Sequence, residues 1–513
     1  MSRRSGGRQA RLAERLAPLT EEAKPVHPGE TGGTFMPLSK TDMAAIAENA
    51  YRILAEIGFG SSTPHCTKLM VEVGAIMGDD GRLRIPRSLV DHTLSICEHN
   101  LTLHGIDPKH DLELSGQRVH FSTGGAAVHI ADPVNNTYKN STSKDLYDMA
   151  RIANTCEHIH MFQRMCVLRD IDDTKTMDLN TLYNSVMGSS KHIGTSFAEA
   201  DHVEAGLKML HHFAGSEEAW RAPPFVSMSN CFVVPPMTFA AESLECLRVG
   251  VKGGMPILLL SAGQAGATAP ALLAGAVSQA WAECLAGLVY VNAIKPGAPA
   301  IIVTWPFVSD LRTGAMSGGS PEQGILSAAC AQMGNYFNLP TGTACGMTDA
   351  KFPDYQAGSE RAYTAVAAAM AGADIVYESA GMYASLMGAC PESILMDNDL
   401  LGSCMRMTKG LTVDESSLSF DVINEVCMGG KGHYLGSEQT LSVMQSEYIY
   451  PDLGDRSSPN IWAEQGKPVL LDKAVKKKNE LLSSYYPKHI SDEADLAIRA
   501  EFNIHLTREQ IGR

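Results

Sequence analysis

The chain has 513 residues, 44% hydrophobic and 19% charged, the make-up of a globular protein with a large core. Its formal net charge of −15 argues against nucleic acid or an anionic membrane as partner, since both need a basic face. The twelve cysteines are scattered without a C-x-x-C pair. That pattern indicates neither a disulfide framework nor a clustered zinc site, and reduced thiols in the cytoplasm are expected.

Residues 1–35 read as a polar tail. Its Arg3, Arg4, Arg8, Arg11 and Arg15 lack the apolar face of a transit peptide and run into Glu14, Glu21 and Glu22. Residues 36–115 read as a mainly helical N-terminal part. Met43, Ile46, Ala50, Ile53 and Leu54 recur at helical spacing, with Ser39 as N-cap. Residues 116–475 then alternate between short apolar runs and amphipathic stretches. The runs are Val119–Thr123, His160–Met165, His192–Ser196, Phe225–Ser229, Ile257–Leu260, Ala300–Trp305, Gly342–Cys345 and Ile375–Glu378. The stretches between them include Ser143–Cys156, Thr238–Val251, Pro270–Ile294, Pro321–Phe337 and Asp354–Ala371. Eight strand candidates separated by helices predict an α/β fold, a (β/α)8 TIM barrel. An open doubly wound sheet is the alternative, and neither G-x-G-x-x-G nor Walker A follows a strand to support its nucleotide-binding form. The apolar stretch Ala269–Val289 is broken by Gln279 and Glu283 and reads as a buried helix, so no membrane span is expected. Residues 476–513 read as a C-terminal peripheral segment, helical from Asp472 onward.

Barrel chemistry sits on loops at the C-terminal strand ends. Here those loops include Thr123-Gly124-Gly125, Gly263-Gln264-Ala265-Gly266, Trp305-Pro306-Phe307, Cys345-Gly346-Met347-Thr348-Asp349 and Ser379-Ala380-Gly381. Such a mouth leaves room for something large and flat, although any one of these glycines taken alone reads better as turn punctuation.

Several runs in this half of the chain are specific. They are Gly266-Ala267-Thr268-Ala269-Pro270, Ala282-Glu283, Gly319-Ser320-Pro321-Glu322, Asp349-Ala350-Lys351-Phe352-Pro353-Asp354-Tyr355-Gln356-Ala357-Gly358, Asp397-Asn398-Asp399 and Tyr450-Pro451-Asp452-Leu453-Gly454-Asp455-Arg456. Together, over roughly residues 36–480, they resemble the trimethylamine methyltransferase family. The resemblance implies a barrel that moves a methyl group from an amine to Co(I) of a corrinoid on a separate small protein. It implies no cofactor and no metal in this chain, and a corrinoid protein as partner; a homo-oligomer is also expected. The archaeal trimethylamine enzymes carry pyrrolysine just before the S/T-D-A-K run, where this sequence has Met347. The chain therefore looks like the branch that lacks pyrrolysine.

A thioether has no electrophilic imine with which to activate a neutral amine. A quaternary ammonium departs as a neutral tertiary amine and needs no such help, so a substrate like glycine betaine is expected, with little pH dependence between about 6 and 8. A tertiary-amine methyltransferase and a non-catalytic quaternary-amine binder are the alternatives. Met347 and Asp349 are the candidate catalytic residues, Asp349 opposing the ammonium charge. Trp305, Phe307, Tyr355 and Tyr383 are candidates for an aromatic cage, each face contributing roughly 0.5–2 kcal/mol. Arg312 is a candidate for a substrate carboxylate, or else a structural ion pair with Asp310. Gly124, Gly125, Gln264 and Gly346 are the candidate corrinoid-facing positions. The pairs His158/His160 and His211/His212 lack matching Cys, Asp or Glu ligands and suggest no metal.

Overall fold

A computed structural model of the chain describes residues 20–430 and 432–513. Most of the arginine-rich tail thus lies outside the described residues. Eight parallel strands close into a barrel: β1 (Arg118–Thr123), β2 (Met161–Gln163), β3 (His192–Thr195), β4 (Val226–Asn230), β5 (Ile257–Ser261), β6 (Ala300–Thr304), β7 (Thr341–Ala344) and β8 (Ile375–Ala380). Closure comes from β8 pairing with β1 and β1 with β2. A helix follows each strand: α1 (Ser143–Asn154), α2 (Thr174–Gly188), α3 (Ala200–Ala214), α4 (Ala241–Lys252), α5 (Leu273–Ile294), α6 (Pro321–Phe337), α7 (Tyr355–Met370) and α8 (Pro391–Lys409). This is the (β/α)8 TIM barrel expected from the alternation.

Local chemistry sets several boundaries. Thr142 caps α1 through Asp145 N, and Asp145 returns the bond in a capping box. Ser320 caps α6 ahead of Pro321, and Asp354 caps α7. Ser39 caps the first N-terminal helix, Lys40–Arg52, again with a capping box.

The barrel's N-terminal end is plugged. Leu103, Leu112 and Leu114 of the hairpin Leu101–Leu103/Leu112–Leu114 form one buried cluster with Met161, Leu258, Leu260, Ile301, Val303, Ile375 and Tyr377. The two-residue spacing along β5, β6 and β8 marks these as the inward faces. Ligands therefore enter from the C-terminal end. There, short strand pieces in two mixed sheets left no sequence signal: Gln264–Ala265 with Phe307–Ser309 and Met316–Ser317, and His129–Asp132 and Thr137–Asn140 with Met382–Tyr383 and Gly388–Ala389. Among the described residues no helix is long and apolar enough to cross a membrane. The 22-residue α5 is instead buried along most of its length, with Glu283 accepting from Ser261 Oγ at 2.6 Å and Met237 N at 3.0 Å.

Candidate active site

Two groups of residues meet at the C-terminal face. The first lies at the barrel mouth around the ends of β8, β1 and β2. Gln163 closes β2 and donates to Ser229 Oγ at 3.2 Å across the barrel. Trp305 stands at the end of β6 with its ring 5.9 Å from Phe307 and 6.3 Å from Tyr377, and its indole N–H is buried without a partner. Glu378 follows Tyr377 on β8 and is only 1% exposed. It holds φ at +61°, where β-carbon residues are strained, and the β8–β1 register shifts between Val376 and Ala380. Its Oε2 accepts from Gly125 N at 2.9 Å, while its Oε1 is buried with no partner. Burial pushes its pKa up to about 8, partly opposed by the Gly125 bond.

The second group lines a cavity of about 1090 Å³ between the loops that follow β5, β6, β7 and β8. Its wall is rich in carboxylates: Asp310, Glu322, Asp349 and Glu360. Asp349 accepts from Ser317 Oγ and Gly318 N, both at 2.6 Å, and from Ser385 Oγ. Glu360 accepts from Thr348 Oγ1 at 2.5 Å, Asp349 N at 2.8 Å and Gln356 Nε2 at 2.8 Å. These bonds tie the loops after β6, β7 and β8 together.

The residues singled out in the sequence scatter over both groups. Trp305 and the buried Phe307 belong to the mouth, and Asp349 to the cavity wall. Met347 lies on the C-terminal side of β7 but is fully buried. A β-carbon at Gly318, next to the cavity-lining Ser317, would sit 3.5 Å from the Met347 β-carbon, so Met347 lies one layer beneath the cavity wall. Arg312 lines the cavity with its side chain 88% exposed and grips Asp310 at 2.7 and 2.9 Å. Tyr355 is 91% exposed at the start of α7. Tyr383 is buried, bonded to Ser393 at 2.7 Å under the Arg361 guanidinium, 4.6 Å from its ring. Gly124 and Gly346 are close-packed rather than open. A β-carbon at Gly124 would meet Met382 Cγ at 1.8 Å, and one at Gly346 would meet Ser379 Cα at 2.7 Å. Gly125 and Gln264 are half-buried, Gln264 donating to Ser309 Oγ at 2.8 Å. His160 accepts from Phe121 N at 2.9 Å, and His212 meets Glu501 at 2.8 Å.

Comparison with known proteins decides the lineage. The family model for trimethylamine methyltransferase (MTTB) matches residues 4–510. The chain belongs to this family. It is 29% identical over 465 residues to a glycine betaine methyltransferase of Desulfitobacterium hafniense (strain Y51), covering 90% of this chain and 95% of that protein. It is 27% identical over 465 residues to a trimethylamine methyltransferase of Desulfitobacterium hafniense (strain DSM 10664 / DCB-2), covering 90% and 92%. It is 28% identical over 460 residues to a trimethylamine methyltransferase of Methanosarcina thermophila, covering 89% and 94%.

Within this barrel, sequence reasoning passed over three charged residues. Arg361 is buried and binds Gly346 O and Asp397 Oδ2, each at 3.0 Å, and Met382 O, joining α7 and α8 to the loops after β7 and β8. Arg164, just past β2, has no hydrogen bond or ion pair to its guanidinium among the described residues, and desolvation lowers its pKa. Glu378 is the third. For Arg164 and Glu378 the available signal was a charge within or beside an apolar strand; Arg361, inside α7, gave none.

Proposed function

We propose that this methyltransferase takes a methyl group from a quaternary amine of the glycine betaine kind and delivers it to the corrinoid of a separate protein. The observation that carries this reading is Met347. In the position aligned with pyrrolysine stands a buried thioether that offers no electrophile and no proton. A neutral tertiary amine would have to leave as an amide anion, whereas a quaternary ammonium leaves as a neutral amine. The chain's own contribution is then to bind the cation, orient one methyl toward the opening and exclude water. The Trp305 ring offers a cation–π face, and the carboxylates of the neighbouring cavity favour a positive ligand. Co(I) supplies the nucleophile when the partner docks.

Support for a docking partner comes from the same end of the barrel. Val234, Leu272, Leu311 and Met387, on the loops after β4, β5, β6 and β8, and Tyr355 at the start of α7 are all exposed apolar side chains. The reading also includes a homo-oligomer, because helix Phe420–Met428 buries none of its apolar residues. It places the enzyme in the cytoplasm, in keeping with twelve unpaired thiols.

The test is anaerobic incubation with Co(I) cobalamin, following methylcobalamin optically. Betaines, carnitine, choline, trimethylamine and dimethylamine are compared at equal concentration. Quaternary amines react and trimethylamine does not. Trimethylamine turning over as fast as the best quaternary compound would overturn the leaving-group argument.

A further inference from the structure

We infer that Glu199, Asp201 and His202, where the loop after β3 enters α3, bind a divalent metal ion of the zinc class that pins this loop. The site lies apart from the residues assigned to the amine and does not rest on the quaternary-amine reading.

The three side chains already converge. One ligand atom from each lies within 4.8 Å of the other two. Donors about 2.0–2.2 Å from one zinc ion stand roughly 3.4 Å apart in a tetrahedron. Small turns of the exposed Glu199 and Asp201 side chains therefore close the site, with water in the fourth position. Both carboxylates have an oxygen to give. Glu199 caps no backbone N–H and has no other partner among the described residues. Asp201 gives Oδ2 to Lys175 Nζ at 2.7 Å, which leaves Oδ1 free.

The first turn of α3 accounts for acids at these positions, because the helix N-terminus favours negative charge. It does not account for His202. That side chain is only 4% exposed, yet its Nε2 makes no hydrogen bond and faces Asp201 Oδ1 at 3.8 Å. Its Nδ1 meets Asp178 Oδ2 at 2.7 Å. A carboxylate only accepts, so Nδ1 donates and the lone pair of the neutral ring sits on Nε2. Two acceptors thus confront each other. A proton on Nε2 would draw Asp201 to hydrogen-bond distance, and 3.8 Å is too long for that bond. It suits two ligands on either side of one ion. Asp178 is held in turn by Ala198 N at 2.8 Å, so the imidazole is oriented by a carboxylate that is itself fixed, as metal-bound histidines are.

Charge points the same way. Asp173, Asp178, Glu199 and Asp201 surround the imidazole, against Lys175 on Asp201 and Arg164 acting on Asp178. Imidazole nitrogen with carboxylate oxygen is a zinc donor set, whereas calcium takes oxygen alone. The ion would steady the barrel mouth. Gly194 of β3 pairs with Gln163, and its missing side chain is what leaves room for the Gln163 amide.

Isothermal titration of the full chain with zinc chloride, after chelation and buffer exchange, tests the site. Wild type takes up one ion tightly. Glu199→Gln and Asp201→Asn each weaken zinc by about tenfold or more, and His202→Gln abolishes tight binding. Glu204→Gln, at the next exposed acid of α3, stays within about twofold of wild type. Calcium binds wild type at least about tenfold more weakly than zinc. Saturating zinc raises the wild-type Tm and slows amide exchange at 196–200, and does neither in Asp201→Asn. The two surface variants keep the test decisive should His202→Gln fold poorly. Wild type that takes up no zinc overturns the site. Tight zinc binding that survives all three substitutions is ligation by cysteines elsewhere and overturns it too. Calcium matching zinc would remove His202 from the site and with it the assignment.

Discussion

Arg312, on the C-terminal face of the barrel, illustrates how much a side chain's partners decide. Arg312 is bidentate on Asp310 and nearly fully solvated, so Arg312→Ala changes KM for a betaine by less than about threefold and leaves the urea midpoint unmoved, as steady-state kinetics and urea melts will read. Acid–base linkage at Glu378 gives a second residue-level outcome. Its folded pKa of about 8 lies above the ordinary glutamate value, so the neutral form is the one the fold prefers. That contribution is fully present below about pH 4, the unfolded range, and is lost as pH rises through 8. Asp374, raised to about 7 by burial at the opposite end of β8, acts in the same direction. The histidines His120 and His192, both lowered to about 4 by burial, act in the other, losing stability as pH falls from about 6.5 toward 4. Glu378→Gln removes one acidic component. Its Tm advantage over wild type is therefore near zero at pH 5 and grows to about 1–3 °C by pH 8.5 in scanning calorimetry. An equal difference at both pH values would show that burial does not hold the proton on Glu378.

Among the elements, the turn between β7 and α7 does the organising. The loop after β8 runs Ala384, Ser385 and Leu386 at φ of 49°, 53° and 77°, three successive side-chain-bearing residues in the left-handed region. Each such residue costs roughly 1–2 kcal/mol, so something must hold the loop there. Asp349 does so through Ser385 Oγ, with Ala384 N bonding Ala350 O at 2.9 Å and Ser385 N bonding Thr348 O at 3.1 Å. Since Asp349 also holds Ser317 and Gly318, Asp349→Ala releases the loops after β6 and β8 together. We expect methyl transfer to free cobalamin to fall by about 100-fold, with a Tm loss of only a few degrees and faster amide exchange at 316–318 and 384–387. Unchanged exchange would leave Asp349 without this positioning role. The Asp349-Ala350-Lys351 run was legible in the sequence as a site, yet its work in the structure is to stitch loops. The barrel itself was legible because eight apolar runs alternate with amphipathic stretches, and each lands on a strand. The small sheets at the mouth were not, since strands of two to four residues leave no alternation to detect. Tyr355 and Tyr383 were aromatic in the right loops, but helix phase sends one to solvent and the Arg361 stack draws the other into the wall. Nothing in single-letter order distinguishes those fates from that of Trp305.

The whole molecule divides its labour between two ends. Hairpin leucines and inward strand residues seal the N-terminal end into a dry plug, leaving the C-terminal end as the only barrel face where a methyl group can be handed over. A corrinoid on a second protein has to approach that face closely, so the transfer needs a docking surface as well as a pocket. The exposed Leu272, Leu311 and Met387 stand on three different loops around that opening and add apolar contact without touching the mouth group of Trp305, Gln163 and Glu378. Burying one such side chain contributes about 1.5–3 kcal/mol at most, and an aspartate in its place would have to be desolvated beside the partner. The double substitution Leu272→Asp and Leu311→Asp therefore raises KM for the corrinoid protein by about tenfold or more. The same variant keeps the wild-type rate with free Co(I) cobalamin, because a small acceptor does not need the protein–protein contact. Both acceptors are assayed at saturating betaine, with methylated product followed optically. Equal loss with the two acceptors would mean that the leucines shape the cavity rather than receive the partner. Equal activity with both would move the docking surface away from the loops after β5 and β6, toward the side of the mouth formed by β1 and β2.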